Sequence, residues 1–126
     1  MSVLIDSFGW IEYFGEGALV EKYARYIEKA NREEYCTPSI VLYEVYKKIK
    51  REISEEKALE AYAYIVAYTS IVPLTEDLAV EAAEISLGRG LSMADAMIKA
   101  TAQKYNAKII TGDEHFKGLK DVELIK

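Results

Sequence analysis

KIITGD, residues 108–113, is a short apolar run closed by Thr111, Gly112 and Asp113. It reads as a buried strand. VLID, residues 3–6, ends in the same way, with Val3, Leu4 and Ile5 stopped by Asp6. Unbroken apolar strands of this kind fit a sheet covered on both faces. If the two run parallel, both carboxylates project from the carboxyl edge of the sheet, where open α/β sheets bind ligands. Each Asp taken alone reads equally well as a turn residue or a helix cap. The repetition at two strand ends is what points to function.

Working outward, SFGWIEYFGEG gives a short helix, with Ser7 as its expected N-cap and Gly15 and Gly17 as breakers. Residues 18–30 read as helix, and Tyr35-Cys36-Thr37 as a strand ended by Pro38 and Ser39. Residues 40–53 and 55–68 read as two helices split near Ser54. Ser70 to Leu74 is a strand whose Pro73 marks an edge or an end. Thr75 starts a helix to about Leu87, stopped by Gly88 and Gly90, and Ser92 starts the next. Residues 122–125 make a fifth strand. Strands alternating with helices imply βαβ units, hence an α/β/α sandwich around a parallel sheet of about five strands. The expected domain spans residues 1–126.

The chain has 126 residues, enough for one core of ordinary size. Its 51% hydrophobic and 29% charged residues are those of a folded, water-soluble protein. No apolar run approaches the ~18–20 residues that cross a bilayer. The N-terminus lacks the basic-then-apolar pattern of a secretory leader. Cys36, the single cysteine, has no internal disulfide partner and fits a small buried hydrophobe. The cytoplasm is therefore the expected compartment. A net charge of −5 does not advertise nucleic-acid binding, which would need a local basic patch or a metal to offset the acids.

Two further acids stand out. Asp95 lies among Met93, Ala94, Ala96, Met97 and Ile98. With Ser92 as N-cap it falls at the third helical position, a capping-box spacing that also suits the positive helix end. That helix end also lies near the sheet edge expected to carry Asp6, so the carboxylate can serve a site, a cap or both. In SIVLYEVYKKIKRE, residues 39–52, with the Ile53 that follows, Val41, Leu42, Val45, Tyr46, Ile49 and Ile53 share one face. Glu44 falls on the other, beside Lys47, Lys48 and Arg51, where a Glu–Lys pair at i,i+4 is an ordinary surface feature. The basic run Lys47, Lys48, Lys50, Arg51 reads as a solvated face or as a track for a phosphate backbone. The chain has ten tyrosines, and Tyr43, Tyr46, Tyr62, Tyr64 and Tyr68 cluster on the two middle helices. Packing in a core or a dimer interface suits them, as does base stacking.

The order VLIDS, VLYEVYKKI, LSMADAMIKATAQKY, AKIITGDEHF resembles the PIN-domain family and, in size, its VapC-type toxins. Each part is weak alone; order, spacing and context together are specific, and the similarity covers nearly the whole chain. The resemblance implies an acidic site of Asp6, Glu44, Asp95 and Asp113, supported by the hydroxyls of Ser7 and Thr111. It implies metal-dependent cleavage of RNA, a homodimer and a cognate antitoxin. Many members carry a further Asp two residues after the last acid. Here that place is His115, read as a loop or supporting residue rather than a metal ligand. Clustered carboxylates repel unless a cation neutralises them, and hard oxygen ligands suit Mg²⁺ or Mn²⁺.

Two other functions fit parts of the pattern. A receiver-type phosphoacceptor domain would show adjacent acids after its first strand, an Asp after the third and a Lys after the fifth. Asp6 stands alone, SIVPL leads to Thr75, and only the terminal Lys126 follows the last strand. A non-catalytic binding module of the same fold is the second alternative, and the presence of all four acids argues against a decayed site.

Overall fold

Successive strand residues point to opposite faces, so neighbours buried together report a sheet covered on both sides. Leu4 and Ile5 are 0% and 1% exposed, and Ile109 and Ile110 are 0% and 1% exposed. The computed structural model describes residues 3–125; Met1, Ser2 and Lys126 lie outside the described residues. In chain order the elements are β1 (Val3–Ile5), α1 (Ser7–Phe14), α2 (Val20–Ile27), β2 (Cys36–Pro38), α3 (Ser39–Glu52) and α4 (Glu55–Tyr68). Then follow β3 (Ser70–Val72), α5 (Glu76–Arg89), α6 (Met93–Lys104), β4 (Lys108–Thr111), a 3-10 turn (Glu114–Phe116) and β5 (Val122–Leu124). This is the expected α/β/α arrangement, and every strand pair is parallel.

The strands do not form one continuous ladder. The order β1-β4-β5 makes a three-stranded sheet, and β2-β3 a two-stranded one. A lone parallel bridge, Val3 to Tyr35, joins them, backed by the Val3 N–H donating to the Glu34 carbonyl at 2.9 Å. Three-residue strands leave little length to pair over, sheet twist turns neighbours away from one another, and Pro38 brings no N–H.

Most boundaries agree with the periodicity, and the exceptions have local causes. α2 is shorter than residues 18–30, because only Tyr23 and Ile27 anchor it in the core. β3 ends before Pro73, which has no N–H for a further ladder bond. α5 runs past Leu87 to Arg89 and stops where Gly90 turns left-handed at φ 70°. Ser7 is not a cap: Asp6 caps α1, its carboxylate accepting from the Gly9 N–H at 2.9 Å.

Two contacts bring the helices onto the sheet edge. α1 lies so close to α2 that a Cβ on Gly9 would meet Tyr23 Cε1 at 2.4 Å and Ile5 Cγ2 at 2.8 Å, so only glycine fits. On α6 the buried Lys99 reaches across, its Nζ donating to the Lys120 carbonyl at 2.9 Å, and ties the helix to the segment before β5. The tyrosines divide: Tyr23 and Tyr35 are core, while Tyr43, Tyr62 and Tyr68 are exposed.

Candidate active site

β1 and β4 pair with Ile5 opposite Ile110, and the Asp6 N–H continues the ladder by donating to the Ile110 carbonyl at 3.1 Å. Both strand ends therefore arrive together at the carboxyl edge. Asp6 is 4% exposed and fully engaged. One oxygen caps α1 and the other accepts from the Thr111 hydroxyl. That same hydroxyl oxygen accepts from the Asp113 N–H at 2.9 Å. Thr111 thus holds the two strand-end acids in fixed relation.

The helices supply the other two acids. At the start of α6 the Ser92 hydroxyl caps the Asp95 N–H at 3.3 Å. The Asp95 carboxylate stands beside Ser92 and faces the sheet edge, where Asp113 lies. Glu44 is half-buried on α3, and among the described residues it pairs with no lysine. The local reading of Glu44 as half of a surface pair is therefore not what the fold uses. Lys47 and Lys50 instead lie over the rings of Tyr43 and Tyr46, and Lys50 pairs with Glu55. Asp6, Ser7, Glu44, Asp95, Gly112 and Asp113 line one cleft of about 510 Å³.

The ligand-bearing atoms are not equally close. Among the described residues, Asp95, Asp113 and His115 alone bring three such atoms within 4.8 Å of one another. Nδ1 of His115 is 3.0 Å from Asp113 Oδ1 and 4.0 Å from Asp95 Oδ2. Asp6 and Glu44 stand at the same cleft but outside this group. His115, set aside in the sequence, is therefore beside two of the acids. The Asp-x-His spacing across a 3-10 turn was the available signal: the turn has the His115 N–H donating to Asp113 Oδ1 at 2.9 Å, folding the imidazole back toward the carboxylate.

Proton affinity follows the crowding. Burial pushes the Asp6 carboxyl up to about 7, with the charges of Asp113 and Asp95 adding and the bonds from Thr111 and Gly9 opposing. Burial raises Glu44, with Asp95 adding and Ser7 opposing. Burial and then Asp113 raise Asp95, against Ser92 and His115. Raised carboxyls around one opening are the signature of an uncompensated anionic site. Oxygen donors with one imidazole form a set suited to a small divalent cation, so the residues fit such an ion.

The same architecture recurs in known structures. A toxin–antitoxin complex from Klebsiella pneumoniae matches at TM-score 0.78 and 24% identity, over 97% of this chain and 96% of that one. Mycobacterium tuberculosis VapC20, described as a toxin that cleaves the sarcin–ricin loop, matches at 0.81 and 21%, over 98% of both chains. A DNA-bound VapBC complex from Salmonella typhimurium matches at 0.73 and 14%, over 99% of this chain and 97% of that one. No curated protein sequence matches the chain. The sequence model of the PIN domain matches residues 3–122, nearly the whole length over which β1, the acids and β4 are spread. With that match and this fold, the chain belongs to the PIN-domain family.

Proposed function

We propose that this protein is a metal-dependent endoribonuclease, the toxin of a toxin–antitoxin pair, formed by a single domain over residues 1–126 and working in the cytoplasm. The observation that carries the reading is the cleft at the carboxyl edge, where Asp6, Glu44, Asp95 and Asp113 gather on a PIN fold. Structural similarity to toxin–antitoxin complexes supports the assignment.

In this reading Asp95 and Asp113, with Asp6 and Glu44 at the cleft wall, hold Mg²⁺ or Mn²⁺. Bound there, the ion supplies water activation at neutral pH and neutralises charge at a scissile phosphate. The protein's own residues do the rest. Thr111 fixes Asp6 against the Asp113 backbone, and Ser7 steadies Glu44. The acids also make RNA binding depend on the cation, because without it the cleft repels phosphate.

A decisive assay incubates purified protein with total cellular RNA. Chelation should abolish cleavage, and Mg²⁺ or Mn²⁺ should restore it. Asp6→Asn protein cutting as fast as the parent would remove the assignment.

Control follows from the same charge. An arginine from an antitoxin can enter the cleft and pair with Asp95 or Asp113, its planar fork matching a carboxylate. The rest of that partner would lie as a helix on the apolar face of α3 and α4, where Leu42, Tyr43, Tyr46, Leu59 and Tyr62 are gathered. Replacing that arginine in a co-purified complex should restore cleavage without dissociating the pair. The toxin itself is proposed as a homodimer, which light scattering of the purified chain would test.

A further inference from the structure

The strongest feature that the four-acid reading leaves unused is His115. Its imidazole is exposed, but its Nδ1 edge lies against two of the acids, 3.0 Å from Asp113 Oδ1 and 4.0 Å from Asp95 Oδ2. Two donors on one ion with bonds of ~2.1 Å can be no more than about 4.2 Å apart. Both separations fall inside that limit. One ligand atom from each of the three residues lies within 4.8 Å of the other two, a compact group that Asp6 and Glu44 do not join.

The turn explains why the spacing is held. Glu114–Phe116 is a single 3-10 turn whose first N–H bond, from His115 to Asp113 Oδ1, is 2.9 Å. Phe116, 1% exposed, anchors the turn in the core. The backbone of His115 is thus held beside the Asp113 carboxylate by one hydrogen bond and one buried ring, and the imidazole lies on that side.

We propose that His115 is a nitrogen ligand of the cation, completing an Asp95–Asp113–His115 set that favours a first-row transition-metal dication, Mn²⁺ in particular, over Mg²⁺. This rests on the metal-site reading above and adds to it the identity of a third ligand and the direction of metal choice. Mg²⁺ takes oxygen ligands and gives up water reluctantly. Imidazole suits the transition metals, and Mn²⁺ accepts carboxylates as well. Replacing one oxygen donor by nitrogen at this turn shifts the balance between the two ions without changing the number of donors.

The experiment uses the metal-stripped full chain, carrying no histidine tag, titrated calorimetrically with Mn²⁺ alone and with Mg²⁺ alone. Pulsed electron paramagnetic resonance of the Mn²⁺ complex then reports coordinated nitrogen. His115 is the single histidine in the sequence, so an imidazole signal has one source. The parent should bind Mn²⁺ at least roughly ten-fold more tightly than Mg²⁺ and show nitrogen modulation. His115→Ala should lose the modulation and weaken Mn²⁺ by about ten-fold or more. His115→Asp, which returns an oxygen donor, should bind Mg²⁺ more tightly than the parent does and narrow the gap between the ions. A parent complex without nitrogen modulation, or His115→Ala binding Mn²⁺ as the parent does, overturns the proposal and leaves the acidic metal site standing. Failure of the parent to bind either ion overturns both.

Discussion

α5 and α6 begin alike and end up electrostatic opposites. Each follows a hydroxyl N-cap, Thr75 or Ser92, and each carries an aspartate in its first turn, Asp77 or Asp95. Asp77 is exposed. The Thr75 hydroxyl and then Lys104, whose Nζ is 3.0 Å away, hold its carboxyl down at about 2. Asp95 is half-buried, faces Asp113, and is pushed up. A helix start with an acid is thus a neutral signature. What distinguishes a site is whether the acid is left to face other acids across a cleft. The positive helix end favours the charged form of both aspartates, so it cannot account for their opposite shifts.

The sharpest break of this comparison is in activity. Asp95→Asn should lower RNA cleavage by about 10²-fold or more, because a lost ligand charge loosens the cation that activates the water. Asp77→Asn should cleave like the parent. Rates on one RNA at fixed Mn²⁺ decide it. Equal losses from both variants would mean that the α6 acid matters only as a helix-end charge.

The next effect is on stability against pH, measured in chelator so that no cation intervenes. Asp6 is the extreme of the cleft group, raised from 3.8 to about 7. Near pH 3 its carboxyl is protonated whether the chain is folded or not. Between about 4 and 7 the folded chain keeps a proton that the unfolded chain has released, so stability falls as pH rises and levels off above about 7. The full span is on the order of 4 kcal/mol at most. Asp6→Asn should remove the larger part of that slope, and Asn still caps α1 well. Urea unfolding from pH 4 to 8 measures it. A slope unchanged in the variant would assign it to Glu44 and Asp95, which shift the same way. Asp77 has the opposite sign: its contribution is present at neutral pH and fades only as pH falls toward about 2. Being exposed, it adds little.

The fold was largely legible because β1, α3, α4 and β4 announce themselves by local pattern. Unbroken apolar triplets fixed the buried strands, and a 3.6-residue stripe fixed the core face of α3. Boundaries slipped where tertiary anchors decide, as at both ends of α2. The acids were legible as candidates through their order, not through their local context. Glu44 shows why: its chain neighbours Lys47, Lys48 and Arg51 promise a surface pair, and only the packing of α3 beside α1 and α6 turns it to the cleft. Local pattern misplaces the cap of α1 by one residue for a related reason. It marks Asp6 as a strand-end acid and Ser7 as a cap, whereas one carboxylate does both jobs with its two oxygens. His115 depended on a turn that no periodicity reports.

The smallest effect separates charge from hydrogen bonding at the α5 end of the comparison. The Thr75 hydroxyl donates to Asp77 and does not cap the α5 backbone. Ser92 by contrast caps the Asp95 N–H. Ser92→Ala should therefore cost the typical N-cap loss of about 0.5–1 kcal/mol, and Thr75→Ala less. Its consequence should show instead in the proton affinity of Asp77, where the hydroxyl makes the largest single contribution, ahead of the hydrogen bond from Lys104 and then that lysine's charge. Carboxyl-carbon NMR titration should find Asp77 moved upward more by Thr75→Ala than by Lys104→Met. An exposed ion pair is screened by solvent and holds two flexible side chains at an entropic cost, while a hydroxyl two residues away is held by the backbone it grows from. If Lys104→Met gave the larger shift, the low value at Asp77 would be a matter of charge after all. The two helix starts would then differ only in the sign of what faces them.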